Sequence, residues 1–217
     1  MTSPRFEIQH VDDFEVTGDG SHLSWARCPW CDLTRVAGTG SYSTRAKVLW
    51  SDTGLYFLTD SEDRHLTCTL LEDNANIFTE DVIEVFLQPD ESQRVYFEYE
   101  ISPLNVELPI MVSRSQQSFH GWLPWHYTAG RRVQRATHVR GGERASHADV
   151  TGWSAEFYIP FALLAGLGNT PPERGSTWRA NIYRIDYDTG RSTQWAWAPA
   201  TGSMFHDYWN FGTFVFK

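Results

Sequence analysis

The run Val95-Tyr-Phe-Glu-Tyr-Glu-Ile-Ser102 alternates without a break and stops at Pro103. A β-strand sends successive side chains to opposite faces, so Val95, Phe97, Tyr99 and Ile101 share one face. Tyr96, Glu98, Glu100 and Ser102 share the other. Similar runs recur along the chain. Arg45-Ala-Lys-Val-Leu-Trp50 and Leu55-Tyr-Phe-Leu-Thr59 flank Ser51-Asp-Thr-Gly54, a hairpin signal. Asp81-Val-Ile-Glu-Val-Phe-Leu-Gln88 ends at Pro89-Asp90. Further strands are expected near 107–113, 132–139, 152–159, 177–187, 192–197 and 212–216, with Asp188-Thr-Gly-Arg191 as a second hairpin turn. The one helix candidate is short, Pro160-Phe-Ala-Leu-Leu-Ala165, opened by proline and closed around Gly166 and Gly168. Nothing repeats as βαβ. This predicts an all-β fold: an antiparallel sandwich of jelly-roll or immunoglobulin-like type with short helical turns. Two stretches, 113–131 and 140–152, read as long loops.

A chain of 217 residues with 41% hydrophobic content makes one ordinary sandwich domain, 1–217, with its own core. Its 18 basic against 27 acidic residues leave a formal charge of −9, which excludes partners that demand a basic face, nucleic acid and anionic membranes. No run of about 18 apolar residues offers a membrane span. The N-terminus lacks the apolar segment of a secretory signal, so the protein is cytoplasmic, or else extracellular or periplasmic after removal of a leader. Three cysteines make no disulfide framework. Cys28-Pro-Trp-Cys31 leads into a Gly/Ser stretch rather than a helix, and no second pair completes a zinc site. Incidental thiols packed beside Trp25 and Trp30 are the simpler reading.

Aromatic residues, 15% of the chain, are the compositional outlier and invite a search for stacking surfaces. Glu84 shares a strand face with Val82 and Phe86, so its carboxylate sits among apolar neighbours and must be paired or bonded. Either it meets an arginine such as Arg184, or it points into a concave ligand site. Glu98 and Glu100 form a solvated polar face, or bind sugar hydroxyls or a cation, or serve as paired catalytic carboxylates. The stretch Phe119-His-Gly-Trp-Leu-Pro-Trp-His-Tyr127 either covers core or places Trp122 and Trp125 at the rim of a cleft, as flat faces suited to a pyranose. Phe205 and His206 follow the turn after Pro199, where His206 is a surface histidine, a sugar partner or a metal ligand. No nucleophile elbow, zinc-protease motif, phosphate loop or dinucleotide fingerprint is present.

These runs in order resemble the family 9 carbohydrate-binding modules and their DOMON-like relatives. The resemblance rests on Ala46-Lys-Val-Leu-Trp50, Leu55-Tyr-Phe57, Glu80-Asp-Val-Ile-Glu-Val-Phe-Leu87, Tyr96-Phe-Glu-Tyr-Glu-Ile-Ser-Pro-Leu-Asn105, Gly152-Trp-Ser-Ala-Glu-Phe-Tyr-Ile-Pro-Phe161 and Phe211-Gly-Thr-Phe-Val-Phe216. It spans residues 45–217 and implies a non-catalytic module that binds an oligosaccharide or polysaccharide, often appended to a glycoside hydrolase and sometimes carrying calcium. It further implies a clamp of two aromatic rings at Phe78 and Phe205, where the family has tryptophan, and a ligand-contacting role for Glu84. Glu100 stands where the family has arginine, which removes a donor and adds negative charge. Two alternatives remain. One is a haem-binding electron-transfer module with Met111 and His206 as axial ligands. The other is a sugar-active enzyme using Glu84, Glu98 and Glu100.

Overall fold

The computed structural model describes residues 3–115, 118–188, 190–199 and 205–217. Among them lie fourteen strands: β1 Arg5–His10, β2 Cys31–Asp32, β3 Thr34–Ala37, β4 Thr44–Trp50, β5 Gly54–Glu62, β6 Val82–Gln88, β7 Val95–Ile101, β8 Glu107–Arg114, β9 Phe119–Pro124, β10 Gln134–Arg140, β11 Gly152–Pro160, β12 Thr177–Asp186, β13 Thr193–Ala196 and β14 Gly212–Phe216. One α-helical turn, α1 Phe161–Leu164, follows Pro160 as expected. The expected runs become β4 to β8 and β10 to β14. Strands β1, β2, β3 and β9 were not anticipated, and β9 lies inside the stretch read as a loop. The turn residue Thr189 and positions 200–204 of the C-terminal run lie outside the described residues.

The first sheet runs β9-β8-β7-β6-β12 through antiparallel pairs. The far edge of β12 is shared: β14 takes Thr177–Ala180 and β13 takes Tyr183–Asp186, with β3 beyond β13. The second sheet runs β10-β11-β5-β4, again antiparallel. Strand β1 joins the two. Its first four residues pair with β14 and its last two with β4, and both pairings are parallel. The antiparallel expectation therefore needs correction at this strand. No hairpin joins β1 to either neighbour, so nothing obliges it to reverse direction.

Alternation decides which side chains meet between the sheets. Ile83, Val85 and Leu87 of β6 and Phe97, Tyr99 and Ile101 of β7 join Val48, Phe57 and Phe157 in one buried cluster. Rings cross the interface: Tyr99 lies 4.9 Å from Phe157, and Phe57 lies 6.3 Å from Phe214. The opposite face of the first sheet is buried as well. Val82, Phe86, Tyr96, Ile110, Val112, Tyr183 and Ile185 form a second cluster, closed over by Ile77 and Phe211. Every residue of β6 is consequently buried.

The cover on this outer face is held by two arginines. Arg179 donates to the carbonyls of Tyr208, Trp209 and Phe211, and the Arg114 guanidinium sits 3.5 Å above the Tyr208 ring. Together they fix the turn Tyr208–Asn210, which follows Phe205 and His206 in the chain. The cysteines are all free, with Cys28 and Cys68 buried. Burial pushes the Cys31 thiol up to about 12, which suits a packed and unreactive group.

Candidate functional site

A cleft of about 200 Å³ opens on the outer face of the first sheet. Its floor is set by strand register. Glu84 lies directly opposite Glu100 on β7 and opposite Tyr183 on β12, while Glu98 is opposite Phe86. The period of two places Glu84, Glu98 and Glu100 on one face. One oxygen from each lies within 4.8 Å of the others. Glu98 is 3% and Glu100 1% exposed, so these are not the solvated pair that alternation allowed. The parity of β7 was legible, but the cover over its polar face was not.

The electrostatics follow from this crowding. Burial raises the Glu84 carboxyl. Burial, then the charges of Glu84 and Glu100, push Glu98 well above the usual carboxylate range. Glu100 is raised in the same way, chiefly by burial and then by Glu84. Three acids at this spacing cannot all ionise cheaply, so in the absence of a cation the group retains protons. Glu98 Oε2 and both Glu100 oxygens accept no hydrogen bond of ordinary geometry from the protein.

Rings form the walls. Phe78, on the turn Ile77–Thr79, meets Trp122 of β9 edge to face at 6.0 Å. Phe205 stacks on Tyr183 at 4.0 Å and 15°, and the Tyr183 hydroxyl donates to the Phe205 carbonyl at 3.0 Å. His206 lies between Phe119 at 4.3 Å and Phe86 at 5.4 Å, hydrogen-bonded through Nδ1 to the Tyr96 hydroxyl at 2.7 Å. Burial pulls its pKa down to about 4, so the imidazole is neutral at ordinary pH. The cleft thus offers half-exposed apolar ring faces above a floor of acceptors. That combination suits a ring-shaped, hydroxylated ligand.

Residues 17–217 match the family described as carbohydrate family 9 binding domain-like. The chain belongs to this family. The match begins at residue 17, ahead of the resemblance at 45 read from the sequence. Among solved structures, the family 9-like chain is similar to a protein of Bacteroides uniformis described as a candidate carbohydrate binder. Identity is 15%, the TM-score 0.78, and 100% of each chain is covered. It is also similar to a family 9 carbohydrate-binding module of Caldicellulosiruptor kristjanssonii, solved with cellotriose, at 15% identity and TM-score 0.68. That match covers 98% of this chain and 93% of that one. The glucose complex of a module from the same organism matches at 16% and 0.68, covering 98% and 95%. These likenesses establish the shared sandwich fold. No curated protein matches the sequence.

Six of the eight site residues expected from the sequence meet in the cleft of this family 9-like chain: Phe78, Glu84, Glu100, Trp122, Phe205 and His206. Glu98 joins them. Arg184 does not, because it is opposite Ile83, one residue out of phase with Glu84. It faces the core and bonds Asp63 at 3.2 Å and Asp186 at 2.6 Å. Trp125 lies off the cleft, 37% exposed, its indole N–H donating to the Leu163 carbonyl at 3.4 Å. Ile110, Ile185 and Gln194 complete the lining and were not anticipated. Ile185 could have been found from its parity with Tyr183, whereas Gln194 carries no local signal.

The sequence left calcium open and haem as an alternative, and two arrangements bear on them. Asp63, Asp186 and Asp188 come together, but Arg184 already occupies Asp63 and Asp186. This cluster does not fit a calcium ion. Met111 is on the face of β8 that packs towards the main core, opposite to Ile110 and Val112, whereas His206 lines the outer cleft. They cannot serve as the two axial ligands of one haem.

Proposed function

We propose that this family 9-like module takes its sugar in the cleft between Phe205 and the Phe78–Trp122 pair, and binds it without cleaving it. The observation that carries the reading is the convergence of half-exposed rings and buried carboxylate acceptors on one sheet face. Stacking on the C–H face of a pyranose and hydrogen bonds from its hydroxyls would then share the recognition. The sugar complexes solved for the Caldicellulosiruptor modules support a saccharide ligand. The DOMON-like kinship and service to a glycoside hydrolase partner belong to the same proposal.

Hydrolysis is disfavoured by geometry. A glycosidase needs carboxylates on either side of the scissile bond, about 5–5.5 or 6.5–9.5 Å apart. Here the acids crowd one floor, within 4.8 Å of one another. The experiment is a glycan-array screen followed by calorimetry of the best oligosaccharide with wild type and Phe205→Ala. Binding that is lost in the variant supports the cleft, and binding unchanged in a folded variant moves the site elsewhere. Release of product from a chromogenic glycoside would overturn the non-catalytic reading.

A further inference from the structure

We propose that the ligand of this cleft carries a protonated amine: it is an amino sugar of the glucosamine type, its ammonium seated on Glu84, Glu98 and Glu100. This deepens the sugar-binding reading above and rests on it.

The floor is built for a cation that the protein does not supply. Glu98 and Glu100 are 3% and 1% exposed, and three of their four carboxylate oxygens accept no hydrogen bond of ordinary geometry; the Phe78 backbone and the two acids themselves are their polar neighbours, and none of these carries a positive charge. No lysine or arginine is among the described residues that line the cleft. Arg184, on the adjacent strand, is turned to the other face and consumed by Asp63 and Asp186. His206 Nδ1 is 3.8 Å from Glu98 Oε2, but that imidazole is neutral.

A sugar hydroxyl would give each carboxyl a neutral donor and leave the acids holding their protons, whereas a cation would let them ionise and bond it. An ammonium has three donors and one positive charge, so it can reach one oxygen of each acid. The walls decide between an organic cation and a bare metal ion. Calcium takes six to eight oxygen ligands, whereas Phe78, Trp122, Phe205, Ile110 and Ile185 present carbon. Such faces favour the C–H surface of a sugar ring and add ring attraction for the charge.

The test is calorimetry at about pH 6 with three tetrasaccharides: fully deacetylated β-1,4-glucosamine, its N-acetylated counterpart, and cellotetraose. The deacetylated oligomer should bind roughly ten- to a hundredfold tighter than either neutral one, as charge-assisted hydrogen bonds predict. Glu100→Gln and Glu98→Gln should each shrink that ratio towards one. Should a variant unfold, the three wild-type titrations still decide. Equal affinity for glucosamine and cellotetraose would overturn the amine proposal while leaving sugar binding intact. Binding of no oligosaccharide would overturn the reading beneath it. Stabilisation by calcium alone, lost in Glu100→Gln and without any amine preference, would assign the floor to a metal and overturn the proposal as well.

Discussion

Two groups of buried acids lie on opposite faces of the first sheet. On the inner face, Asp63 and Asp186 flank Arg184, which also donates to Thr44 at 2.9 Å and lies 5.0 Å from the Trp195 ring. On the outer face, Glu84, Glu98 and Glu100 have rings around them, a neutral His206 and no lysine or arginine among the described lining residues. The two groups are equally deep, yet only one has an arginine among its acids. A buried acid closed by its own arginine belongs to the architecture of the fold. Buried acids left open towards a cleft await a donor from outside.

The largest expected effect tests the inner group. Arg184→Met should strand Asp63 and Asp186 and destabilise the protein by about 3–5 kcal/mol, the usual result of removing one partner from a buried pair. Denaturant unfolding measures it. On the outer face, Glu98→Gln removes a like charge and should leave stability unchanged or raise it. If both substitutions cost the same, the contrast between the groups is wrong.

Next in size is the loss of a ring. Phe205→Ala should weaken oligosaccharide binding by roughly tenfold to a hundredfold or more, about 1–3 kcal/mol for one large apolar side chain. It also uncovers the Tyr183 face on which Phe205 stacks. Calorimetry, with an unfolding transition to show that the variant is folded, separates lost contact from lost structure.

A smaller effect lies in the pH dependence of stability. Glu98 and Glu100 are raised above an ordinary glutamate value of about 4.3, so between that value and their raised ones the folded protein holds protons the unfolded chain has released. Their contribution is fullest below the unfolded value and falls as pH rises through the folded ones. Asp81, pushed up to about 9 by burial and by Asp63 and Asp186, adds a slope of the same sign. Stability should therefore decline from about pH 5 to pH 8. Glu98→Gln should flatten that decline and leave the Asp81 part. An unchanged slope would mean that the outer acids ionise freely.

Much of this arrangement was legible in the sequence because strands reveal parity. Val82 and Phe86 beside Glu84 already marked its face as covered. What parity withholds is register between strands. Nothing in Arg184 or its neighbours says that it aligns with Ile83 and so turns away from Glu84. Cover was equally hidden, since the polar face of β7 is closed by distant pieces: the turn at Ile77 and the segment leading to Phe211. Strands β2 and β3, of two and four residues, are too short to show a period. Strand β1 does alternate, with Phe6 and Ile8 buried, but its parallel pairing with the far end of the chain has no local signal.

Trp125 should show the smallest effect of all, and it sharpens where the outer site ends. Sequence alone left it either covering core or beside Trp122 at a cleft rim, three residues further along. Strand β9 ends at Pro124, and the Trp125 backbone N–H then donates to the Pro109 carbonyl at 2.7 Å. Its indole turns to the Leu163 carbonyl near α1 instead of to the carboxylate floor. Trp125→Ala should therefore leave oligosaccharide affinity within about twofold, under 0.5 kcal/mol. It should cost stability only modestly, since a long 3.4 Å bond and partial packing are lost. The same calorimetric series that reads Phe205→Ala checks it. A tenfold loss of affinity with Trp125→Ala would extend the site past Trp122 towards α1, and the ligand would then have to be long enough to bridge both.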